Sequence, residues 1–99
     1  MITPNDFTRI NNDVNSNPRY VCHYSDIITD NEREISYKKS DLLKGISVVD
    51  IQYDFALSRA KKIGGRKFHN KQYGGGIVFQ SYNLQDTCND INELIEQSK

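Results

Sequence analysis

Residues 53–82, YDFALSRAKKIGGRKFHNKQYGGGIVFQSY, constrain the fold more than any other part of the chain. A glycine pair and a glycine triplet cut this stretch into three pieces. Before the pair, Tyr53, Ala56, Leu57, Ala60 and Ile63 recur at helical spacing. They predict a helix that starts near Asp50 and ends at Gly64-Gly65. Arg59, Lys61 and Lys62 fall in its last turns, where cations meet the negative end of the helix dipole. Residues 66–72 then predict a basic strand and residues 77–82 an apolar one. Tyr73-Gly74-Gly75-Gly76 supplies the positive φ angles of a hairpin turn between them.

The flanks extend the pattern. Thr3, Pro4 and Asp6 suit the start of a helix that would place Phe7, Ile10 and Val14 on one face. Asn17-Pro18 breaks it. Residues 19–28 alternate as a strand, Asp30-Asn31 reads as a turn, and residues 34–37 as the returning strand. Residues 40–45 suit one helical turn from Ser40 to Gly45. Residues 46–49 suit either a short strand or the lead-in to the next helix. At the far end Asn83 caps a helix with Leu84, Cys88, Ile91 and Ile95 on one face. The expected fold is a single α+β domain over residues 1–99, with residues 1–17 as a loosely attached helix or arm. A small antiparallel sheet built from two hairpins carries the helices, in the order α-β-β-α-β-β-α. Tyr53, Leu57, Ala60, Ile63, Val78, Phe79, Ile91 and Ile95 are the expected core.

Formal charge sums to zero but is arranged in three blocks. Residues 1–54 carry −3, residues 55–85 carry +6 with no Asp or Glu, and residues 86–99 carry −3. Cys22 and Cys88 lie far apart and form no metal-ligand spacing, so two reduced thiols are expected. The first residues have neither the basic nor the apolar region of a signal peptide. No apolar run approaches the roughly 18 residues of a spanning helix. These features point to a cytoplasmic protein without a membrane partner.

Most specific chemistries fail on context. The glycine triplet runs into a strand, whereas a phosphate loop must run into a helix N-terminus. His69-Asn70-Lys71 faintly echoes a nuclease motif, but the second histidine, His23, sits in another hairpin. Cys22 and His23 alternate across a strand and cannot act as a nucleophile–base pair. No catalytic residue, metal site or cofactor is assigned. The basic stretch survives, because cations beside strand aromatics suit phosphates and stacked bases. It sets Arg59, Lys62, Arg66, Lys67, His69, Lys71 and Tyr73 as the candidate binding surface. The plain alternative is a solvated face that offsets the acidic closing helix.

The run ALSRAKKIGGRKFHNKQYGGGIVFQSY with its short acidic helix resembles small accessory proteins of bacteriophages and mobile elements. It is similar in outline to the ββα arm-binding modules of phage integrases, from which the glycine-rich link and the acidic helix depart. The resemblance implies an accessory role exercised by binding. The expectation is a small non-enzymatic binding protein, an accessory or inhibitor that acts on a host macromolecule in the host cytoplasm. The alternative is a nucleic-acid-binding module using residues 59–71. A host protein, a nucleic acid and a second copy of the chain are the partners to test.

Overall fold

The computed structural model describes residues 1–10, 17–70 and 74–99. Among these residues, four strands form one antiparallel sheet: β1 (Thr8–Arg9), β2 (Arg19–His23), β3 (Arg66–Asn70) and β4 (Gly74–Gln80). Their spatial order is β1-β2-β4-β3, so the two hairpins β1–β2 and β3–β4 join through the β2–β4 pair. Among the described residues the α-helices are α1 (Asp30–Leu42), α2 (Val48–Lys61) and α3 (Leu84–Gln97). The molecule is thus the α+β layer fold that the alternation of helical and hairpin patterns predicts.

Several segments change identity within that order. The opening helix is only a 3-10 turn, Pro4–Asp6, in which the Thr3 amide donates to Asp6 Oδ2 at 2.8 Å. The chain then extends, so Thr8 and Arg9 pair with Val21 and Tyr20 instead of continuing a helix. Phe7 meets the ring of Phe79 edge-on, with centroids 6.0 Å apart. Ile10 belongs to no helix face, and Val14 lies outside the described residues. The strand expected over residues 19–28 stops at His23, whose ring accepts the Ser25 amide and starts a second 3-10 turn, Tyr24–Ile27.

The returning strand expected at residues 34–37 is helical, inside α1. The cause is a capping box at Thr29-Asp30-Asn31-Glu32. The Thr29 hydroxyl accepts the Glu32 amide at 3.0 Å and Glu32 Oε1 accepts the Thr29 amide at 2.8 Å. Residues 40–42 finish α1, and Gly45 turns the corner at φ +94°. Residues 46 and 47 lead into α2, which Ser47 caps by accepting the Asp50 amide. At its other end Gly65 N–H reaches the Ala60 carbonyl at 2.8 Å, and Gly64 adopts φ +84°. This glycine closure is the expected one.

Ile77, Phe79 and Cys22 project from the sheet into a core closed by Tyr53, Ala56, Ala60, Cys88 and Ile91. Leu57, Ile63 and Ile95 pack against it half-buried. Val78 and Phe79 point to opposite faces, yet both are buried. α2 lies on β3 and β4, and α1 packs on α2 as an outer layer. Ile2 is buried and tied at both its amide and its carbonyl to the Asn92 side chain of α3, each at 2.9 Å. Cys22 and Cys88 are unpaired and both buried.

Candidate binding surface

The described cations of the basic stretch are dealt to different places. Arg59 points inward from α2 and is only 6% exposed. Its Nη1 donates to the Ile27 carbonyl at 2.6 Å and to Glu32 Oε1 at 2.8 Å, while Nη2 donates to Glu32 Oε2 at 2.9 Å. Arg59 therefore belongs to the interior rather than to the surface. Burial alone would raise the Glu32 carboxyl, but hydrogen bonds from Arg59 and the Thr29 amide outweigh it and hold the group below the usual carboxylate range.

Lys62 is exposed one turn on, beside a recess of about 160 Å³ that it lines with Glu32, Phe55, Ser58, Arg59, Leu94 and Ser98. Along β3 the side chains alternate between faces. Arg66 stands on the sheet face away from the core, where it lines a groove with Arg19, Gly64, Val78 and Gln80. Lys67 stands on the other face, its Nζ 5.5 Å from the centre of the Tyr53 ring. With His69 it lines a cavity against Val49, Asp50, Asp54 and Gly75. Lys71 and Tyr73 lie outside the described residues. The remaining described members of the basic set occupy three separate recesses.

The glycine triplet is strand rather than turn. Gly75 pairs with His69 and Gly76 with Phe68, and neither has positive φ. A Cβ at Gly75 would stand 2.8 Å from the Tyr24 ring and 3.1 Å from that of Tyr53; one at Gly76 would stand 2.8 Å from a Val21 methyl. These glycines let aromatic rings and a valine lie against the sheet, and Tyr53 donates its hydroxyl to the Gly76 carbonyl.

A different surface emerges where α1 meets α2. Leu42 is 81% exposed, and Leu43, Ile46 and Val49 follow at 43–50%. Leu43, Ile46, Ile51 and Phe55 line a groove of about 350 Å³ together with Lys39, Asp54 and Ser58. The Lys39 ammonium sits 5.7 Å from the centre of the Phe55 ring at its rim. Sequence reasoning missed this groove. Its signal was the run Leu42-Leu43 to Val48-Val49, an apolar segment between polar helices that the predicted core did not use. Among the described residues no group of three or more His, Cys, Asp or Glu is placed to hold a metal ion, and no helix is long and apolar enough to cross a membrane.

Fold and surface define a small α+β protein with an apolar groove at a helix–helix corner and its described surface cations spread over separate recesses. The family model of the Staphylococcus phage terminal repeat-encoded protein TreK matches residues 3–99, and the chain belongs to that family. It is a phage accessory protein, as its resemblance to such proteins implied. No curated protein and no solved structure matches it.

Proposed function

We propose that the protein is a non-enzymatic binding protein that acts on a host protein in the host cytoplasm, docking it through the α1–α2 groove. The supporting observation is the contiguous apolar lining of Leu43, Ile46, Ile51 and Phe55 with a mixed-charge rim. Apolar side chains gathered in an exposed groove, rather than scattered singly, mark interaction sites. An apolar centre with a charged rim is how protein interfaces are arranged. The test is capture from a Staphylococcus lysate with tagged wild type and with the Leu43→Glu, Ile46→Glu pair. One protein retained by wild type and by Arg66→Glu, but lost with the groove variant, supports the reading. Equal retention by the groove variant overturns it. A concentration-dependent dimer in sedimentation, abolished by the same variant, would instead assign the groove to a second copy.

A nucleic-acid reading is favoured by one observation. Arg19 and Arg66 flank the same groove on the sheet face away from the core. Duplex binding there would weaken with salt by a slope of roughly −0.9 per phosphate contact. It would also fail in Arg66→Glu and survive Lys67→Glu, because Lys67 lies on the other face. Fluorescence anisotropy with generic single- and double-stranded DNA at low and moderate salt separates the readings. Wild type that binds neither at low salt eliminates the nucleic-acid one.

A further inference from the structure

β3 is an edge of the sheet. The spatial order β1-β2-β4-β3 leaves one side of it without a neighbouring strand among the described residues. The ladder fixes which residues face that side. Ser81 N–H reaches the Pro18 carbonyl at 3.0 Å, so Phe79 and Ile77, at the same alternation, also turn their backbone groups to β2. Val78 and Gly76 turn theirs the other way, to Arg66 and Phe68 of β3. Lys67 and His69 therefore turn their N–H and C=O groups to the open side. Both residues are exposed. An edge of this kind is a template for one more strand.

A recess adjoins the edge. Lys67 and His69 line it from β3, and Val49, Asp50, Tyr53 and Asp54 line it from α2, around about 320 Å³. A strand laid along β3 would carry the side chains opposite Lys67 and His69 on that same face, about 5 Å from theirs. There the half-exposed Val49 and the Tyr53 ring offer apolar contact, and Asp50 and Asp54 offset the charge of Lys67. The alternate side chains of the added strand would fall on the outer face, beside Arg66. Arg66 shares its groove there with Arg19, and no acid lines it. None of the four strands contains Asp or Glu. An acidic side chain complements that face. A second copy does not, because pairing two β3 edges would set Arg66 and Lys67 against the same cations.

We propose that the β3 edge takes up an extended segment of a partner protein as an added antiparallel strand. Its acidic side chains lie toward Arg66 and alternate with apolar ones directed to the recess under α2. This site is separate from the α1–α2 groove and does not rest on it.

The test follows the Lys67 and His69 backbone amide resonances of the ¹⁵N-labelled full chain by NMR. The probe is the capped peptide acetyl-Asp-Val-Asp-Val-Asp-amide, with its Lys-Val-Lys-Val-Lys counterpart as control. The expected result is a saturable shift of both amides with the acidic peptide only, weakened about fivefold by Arg66→Glu. In an antiparallel pair the valine N–H groups would face β3, so N-methylation of the valines should abolish the shift and N-methylation of the aspartates should leave it. No shift with the acidic peptide means that Lys67 only guards the edge against pairing, and overturns the proposal. So does an equal shift with the lysine peptide, an affinity that Arg66→Glu leaves unchanged, or loss on methylating the aspartates instead. Shifts that grow with protein concentration in the absence of peptide assign the edge to a second copy and also overturn it. The Leu43→Glu, Ile46→Glu pair keeps the two surfaces distinguishable. Binding unchanged in that variant supports the edge site whatever the groove does; binding lost in it places the peptide in the groove and overturns the edge site.

Discussion

Removing the Arg59 side chain would strand the Glu32 carboxylate at the start of α1 and leave the Ile27 carbonyl without its donor. Breaking a largely buried ion pair from one side is costly, because the partner's charge stays desolvated. Arg59→Gln should lower stability by about 3 kcal/mol in urea unfolding. The pH dependence follows from the same contact. Glu32 has a lower value folded than unfolded, so its contribution is complete above the unfolded value and is lost as pH falls through the folded one. Urea midpoints measured from about pH 7 down to about pH 3 should fall in the acid range for wild type, and less steeply for Arg59→Gln. That Arg59 is a cation at a helix end was legible in local spacing. Its burial was not, because Glu32 lies 27 positions away in a segment whose alternation imitates a strand. Long-range pairing leaves no mark on local periodicity.

Among elements, the turn out of α2 separates two uses of glycine. Gly64 has positive φ and open space around it, so alanine there meets only backbone strain, about 1 kcal/mol. A Cβ at Gly65 would stand 2.6 Å from the Ala60 Cβ and 2.6 Å from the Phe79 ring, both fully buried neighbours. Overpacking there should cost about 1–3 kcal/mol. Denaturant midpoints should therefore rank wild type, Gly64→Ala, Gly65→Ala from most to least stable; the reverse order of the two variants would refute the packing role. The stop itself was legible from the Gly64-Gly65 pair, but the ring against Gly65 was not. The glycine triplet failed for the same reason, since its glycines make room for Tyr24, Tyr53 and Val21 within a strand. The start of α1 was legible in principle. Thr29 and Glu32 carry a capping-box spacing that the Asp30-Asn31 turn reading obscured. Thr29→Ala should cost about 1 kcal/mol and reduce the helical circular dichroism signal.

At the scale of the whole molecule, one core cluster joins the sheet to the helices, and the two cysteines enter it from different elements. Cys22 sits on β2, an inner strand of the sheet, and Cys88 on α3. Both are buried, and burial pushes the Cys22 thiol up to about 12 and the Cys88 thiol upward too. A thiol reacts as the thiolate and needs access, and the folded chain denies both sulfurs access while disfavouring their ionisation. Each is modified only when its element opens. α3 is held at its middle by Ile91 in the core and by the Asn92 bonds to Ile2, so peeling it away also frees the N-terminal segment. Opening β2 would break the β2–β4 ladder that joins the two hairpins. Neither element can leave without dismantling the shared core, so the two thiols should be modified at one rate in native buffer. Peptide-resolved mass spectrometry of a time course with an excess of thiol reagent measures both rates. In denaturant both should react at once without prior reduction. If Cys88 instead reacts well ahead of Cys22 in native buffer, α3 opens as a separate unit and the single cooperative core is wrong.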